Sequence, residues 1–79
     1  MRKGDERSQW VNAHEHFESD KQYDFADGSR IRVDRISGEF VYFVAWMAGQ
    51  ETGRPARMGH TIFYHAFKAH EEESGGQRD

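Results

Sequence analysis

"GEFVYFVAWMAG", residues 38 to 49, decides how this chain folds. From Phe40 to Ala48 every side chain is apolar or aromatic, in a protein of which 32% of residues are charged. β-Branched and aromatic residues occupy successive positions, and Gly38 and Gly49 bracket them at strand length, so the stretch reads as a central strand rather than an amphipathic helix. One face then carries Phe40, Tyr42, Val44 and Trp46, and the other Val41, Phe43, Ala45 and Met47. Both faces are apolar and both call for cover. In a chain of 79 residues one helix can cover one face. A sheet curling on itself, a second subunit or a partner must cover the other.

Length and composition point the same way. Seventy-nine residues support one core, and the whole chain, 1–79, reads as one small domain with its core at about residues 9–70 and frayed ends. Aromatic residues make up 14%, too many for ordinary disorder. The absence of Cys excludes disulfides and thiolate metal sites, so packing, a partner or a second subunit must stabilise the fold. No apolar run approaches the ~18 residues of a membrane span or follows the basic residues of the N-terminus, which makes a cytoplasmic protein with no membrane association the expectation.

Charge is unevenly distributed. The formal net charge is −3, yet residues 28 to 57 hold five arginines against three acids, whereas the segments on either side are acidic. All the basic residues of this middle segment are Arg, whose planar fork suits carboxylate and phosphate.

Around the aromatic strand, "KQYDFADGSRIRVDRI" (residues 21 to 36) reads as two antiparallel strands. Tyr23 and Phe25 alternate with polar residues, Ile31 and Val33 do the same, and Asp27-Gly28 between them supplies hairpin positions. Arg30, Arg32 and Asp34 share the face opposite Ile31 and Val33, and Ser37-Gly38 turns the chain into the aromatic strand. Residues 9–18 admit both a helix, with Ser8 as N-cap, and a strand; the helix is the adopted reading. "QETGRPARMGH" (50 to 60) reads as a long exposed loop carrying Arg54 and Arg57. Residues 61–70 also admit both periods, and three glutamates at 71 to 73, unfavourable at a helix C-terminus, favour a strand there. The expected architecture is therefore α+β: an antiparallel sheet of about four strands with one N-terminal helix, open or barrel-like.

Three kinds of chemistry compete for this scaffold. Protein binding absorbs the most features: a doubly apolar strand rich in Trp, Tyr, Met and Arg suits an adaptor, a subunit, a homodimer or a small regulatory inhibitor. Its candidate residues are Trp10, Arg30, Arg32, Tyr42, Trp46, Arg54, Arg57 and Tyr64. Single-stranded nucleic acid is the alternative, with Arg30, Arg32, Arg35, Arg54 and Arg57 on phosphates and Tyr42, Phe43 or Tyr64 stacking on bases. The third is metal binding or hydrolysis through the five histidines, with His14, His16 and His65 as candidate ligands. The histidine spacings match no metalloprotease motif, and neither a nucleophile elbow nor a glycine-rich phosphate loop occurs. No cofactor and no catalytic residue is assigned, and the expected protein is a non-enzymatic binder.

Overall fold

A computed structural model describes residues 10–77. Four strands, β1 (Lys21–Asp24), β2 (Arg30–Ile36), β3 (Phe40–Trp46) and β4 (Arg54–Gly59), form one antiparallel sheet in sequence order, followed by a helix, α1 (His60–Ser74). The α+β class and the four-stranded antiparallel sheet are those expected. The sheet is open, with β1 and β4 as its edges, and does not close into a barrel.

Among the described residues the N-terminal helix is one 3-10 turn, Ala13–Glu15, shorter than expected because the backbone donors around it are taken by side chains of α1. Val11 N–H donates to Thr61 Oγ1 at 2.9 Å and Ala13 N–H to His60 Nδ1 at 3.0 Å. Asn12 caps the turn by accepting from His14 N–H, while Ser8 lies outside the described residues. The larger correction concerns residues 61–70, which are helical. His60, Phe63 and Phe67 are buried at helical spacing, and Gly75 ends the helix in a left-handed conformation (φ 91°) that offsets the acidic last turn. Glu71 is further engaged by Lys68 at 3.6 Å and by Gln77 Nε2 at 2.9 Å.

The fourth strand comes instead from the stretch expected to be a loop. β4 pairs with β3 from Arg54 opposite Ala45 to Gly59 opposite Phe40. Its exposure hid it from pattern reading: four of its six residues are exposed, since an edge strand needs few apolar side chains. Pro55 is tolerated there because an edge strand can leave one backbone position without a donor.

α1 packs on one face of the sheet, and the core lies between them. Five of the six phenylalanines, Phe17, Phe25, Phe43, Phe63 and Phe67, are buried there with Tyr23, Val33, Ile36 and Val41. Phe17 meets Phe63 edge-on at 5.0 Å and Phe67 at 4.8 Å, and Phe43 meets Phe63 at 4.9 Å. Such aromatic pairs add about 0.5–1.5 kcal/mol each beyond the area they bury. A bulge at Asp34 is what completes this core. Ile31 and Val33 face α1, the register slips between Val33 and Arg35, and Ile36 joins the same face opposite Val41. Among the described residues no helix is long and apolar enough to cross a membrane.

Candidate functional site

The face of the sheet turned away from α1 carries an arginine–aromatic array. Cross-strand register places Arg30 opposite Trp46, Arg32 opposite Val44 and Arg35 opposite Tyr42 on β2 and β3, and Tyr42 opposite Arg57 on β4. Each arginine lies over a ring: Arg30 over Trp46 at 4.6 Å, Arg32 over Trp46 at 5.6 Å, Arg35 over Tyr42 at 4.4 Å, and Arg57 over Phe40 at 4.8 Å. Phe40, Tyr42, Val44 and Trp46 are consequently half-buried beneath guanidinium groups. The arginines extend to this second apolar face the cover that α1 gives the first.

The array is cationic and, among the described residues, largely unneutralised. Arg32 Nε donates to Asp34 Oδ1 at 2.8 Å. Among the described residues, no carboxylate lies within ion-pair distance of Arg30, Arg35 or Arg57. Asp24, across from Arg30, instead accepts from Gln22 Nε2 at 3.0 Å. The buried Arg30 Nε has no hydrogen-bond partner among the described residues. Among the described residues, four arginines therefore share this face with two carboxylates, Asp24 and Asp34, in a protein whose net charge is −3.

Of the residues expected to form a binding site, Arg30, Arg32, Tyr42, Trp46 and Arg57 are brought together on this face. Arg54, opposite Ala45, has the parity of the face turned to α1. Tyr64, read as a strand residue, lies on α1 and packs against His16 with ring centroids 4.6 Å apart. Trp10 is 64% exposed and stacks on His60 at 5.1 Å, at the start of α1. Phe43, a stacking candidate in the sequence, is a core residue. Arg35, which the sequence offered only as a phosphate contact of the nucleic-acid alternative, and Phe40, which pattern reading did not single out, are full members of the array. Uninterrupted alternation would place Arg35 beside Ile31 and Val33; the bulge turns it outward. The signal was Ile36, whose even number breaks parity with the apolar residues before it.

Two of the histidines, His60 and His70, take structural positions. His60 is buried and bridges three segments, with Nδ1 accepting from Ala13 N–H and Nε2–H donating to Ser37 O at 2.7 Å. Among the described residues no three His, Asp or Glu side chains are placed to share a metal ion, so His14, His16 and His65 do not form a common site. Asp27, Ser29 and His70 do meet. Ser29 Oγ donates to Asp27 Oδ1 at 2.6 Å and lies 2.7 Å from His70 Nε2. With its single proton given to Asp27, the hydroxyl accepts from the imidazole. A serine nucleophile requires the opposite order, donating to a histidine that the carboxylate orients from its other nitrogen. The trio instead clasps the β1–β2 hairpin to α1, and the Ser29 hydroxyl and N–H hold the Asp27 carboxyl below its usual range.

Comparison with protein-family models, with curated proteins and with solved structures returned no match.

Proposed function

We propose that this protein is a non-enzymatic binding module that takes single-stranded nucleic acid on the outer face of its sheet. The observation that carries this is the array itself: four arginines stacked on three aromatic rings, three of them without a carboxylate partner among the described residues. Guanidinium edges suit phosphate oxygens, and guanidinium and indole planes are stacking surfaces for unpaired bases. A protein interface of ordinary composition has an apolar centre depleted of charge and a polar rim. Here the centre is cationic, as in nucleic-acid interfaces. Duplex DNA fits less well, because four strands at ~4.8 Å spacing span about 14 Å, wider than the ~12 Å major groove.

An acidic protein surface is the second reading, since guanidinium pairs with carboxylate as well as with phosphate and the net charge of −3 opposes the denser charge of a nucleic acid more strongly. Fluorescence anisotropy with labelled single strands of DNA and RNA, a duplex, and an acidic peptide of matched charge separates these. Binding of the single strands at low salt, tighter than the duplex, is the expected result. No single-strand binding at low salt, where screening is weakest, would eliminate the nucleic-acid function.

A further inference from the structure

The arginine–aromatic array is divided in two along β3. Cross-strand register sets Asp24, Arg30 and Trp46 in one row, and Arg35, Tyr42 and Arg57 in another, with Phe40 next to it on β3. Each of these rows stacks an arginine that has no carboxylate partner among the described residues on a ring: Arg30 on Trp46 at 4.6 Å and Arg35 on Tyr42 at 4.4 Å. The row between them is built differently. It consists of Gln22, Arg32, Val44 and Pro55. Its arginine is engaged by Asp34 at 2.8 Å, and its members on β3 and β4 are aliphatic. Arg32 also leans over Trp46 at 5.6 Å, so its guanidinium belongs to the first platform.

Trp46 and Tyr42 stand four residues apart on one strand, which separates the two platforms by about 13 Å. A single nucleotide cannot reach both, and a dinucleotide has one backbone step in which to do so. A stacked strand, rising about 3.4 Å per nucleotide, covers the distance in about four steps, and an unstacked strand with splayed bases covers it in fewer. A strand crossing the sheet along either row would meet one platform, whereas a strand following β3 meets both.

We propose that the outer face takes a segment of about three to five nucleotides lying along β3, held at its two ends and bridged between them. One end nucleotide sits on Arg30 and Trp46, the other on Tyr42 between Arg35 and Arg57, and the part over Val44 is carried across without a base contact. This rests on the nucleic-acid reading of the face and adds the path of the strand, the length it must have and the positions at which a base is held. Two weak contacts on one chain reinforce each other only when the chain spans both, so affinity should show a step with length.

Calorimetric titration with thymidine oligonucleotides of increasing length, at low salt, tests this on the unaltered protein. Mononucleotide and dinucleotide should bind weakly, affinity should rise by about tenfold or more between about two and five nucleotides, and each further nucleotide should add less than about twofold. The shortest strand on that plateau is then made with one base missing at a time. Loss of either end base should weaken binding about tenfold, and loss of an internal base less than about twofold. Tyr42→Leu, its fold verified by an unchanged circular dichroism spectrum, should keep the weak mononucleotide binding of the Trp46 end and lose the step with length. Affinity that climbs evenly with length, or equal losses from end and internal bases, would overturn the two-platform arrangement and leave the nucleic-acid function standing. Absence of binding at every length would remove that function and this inference with it.

Discussion

Gly53 lies so close to Trp46 that a Cβ at position 53 would come 2.5 Å from indole Cε2, with Val44 crowding the same point. The glycine is required here for space, and its φ lies outside the left-handed range. The connection into β4 thus packs its backbone on the aromatic end of the outer face, where Arg30 and Arg32 stack on the same indole. Gly53→Ala should destabilise the fold by about 1–3 kcal/mol, the usual cost of forcing an extra methyl into packed surroundings. In a Trp10→Phe background, Trp46 emission should also shift as the ring is displaced. Gly38→Ala is the control: nothing lies within 4 Å of its added Cβ, and its melting temperature should fall by much less.

His60 couples the N-terminal segment and the β2–β3 turn to the first residue of α1. His60→Phe keeps an aromatic ring of similar size but orphans Ala13 N–H and Ser37 C=O. At about 1–3 kcal/mol for each buried group left unpaired, the loss should be about 2–5 kcal/mol in urea denaturation. Hydrogen exchange at the Ala13 amide should accelerate along with it. A variant as stable as the parent, with Ala13 still protected, would show that the bridge contributes no net energy.

Much of this fold was legible in the sequence because β3 is extreme. Its unbroken apolar run fixed a two-faced central strand, and the alternation of Tyr23, Phe25, Ile31 and Val33 fixed the hairpin before it. Gly28 supplies that turn with its left-handed residue (φ 93°). The fourth strand was not legible, since β4 is selected by backbone pairing with β3 and by the half-buried Met58 rather than by an apolar run of its own. α1 was obscured by its ending: the three glutamates argue against a helix terminus locally, and Gly75 and Gly76, whose N–H groups cap the Glu72 and Glu71 carbonyls at 3.4 and 2.7 Å, outweigh them. The candidate site was half visible. The arginines of β2 stood out, but their partnership with Arg57 required β4, and Arg35 required the bulge.

Acid should loosen the hairpin clasp. Ser29 Oγ–H and then Ser29 N–H stabilise the Asp27 carboxylate, partial burial opposes them, and His70 adds a smaller lowering. The folded pKa therefore lies below the unfolded one, and Asp27 contributes stability that is fully present above the unfolded value of about 3.9. This contribution is lost as pH falls through the folded value. Urea melts of the parent and of Asp27→Asn between about pH 6 and pH 2 should differ most at the upper end and converge at the lower. A gap that stays constant across that range would show that the carboxylate charge plays no part in the clasp.

The outer-face function makes its sharpest demand on salt dependence. Single-strand binding releases roughly 0.7 counterions per neutralised phosphate. If Arg30, Arg35 and Arg57 each meet one phosphate, log Kd should rise with log salt at a slope of about 2, an approximately 20-fold loss of affinity from 50 to 200 mM. Arg35→Ala and Arg57→Ala should each reduce that slope by about 0.7 and weaken all sequences alike, the signature of a phosphate contact. Arg54, on the opposite parity of the same strand as Arg57, is the internal control. Arg54→Ala removes the same charge from the protein, so an equal effect from all three substitutions would indicate bulk electrostatics. An effect confined to Arg35 and Arg57 would locate the strand on the face that α1 leaves uncovered.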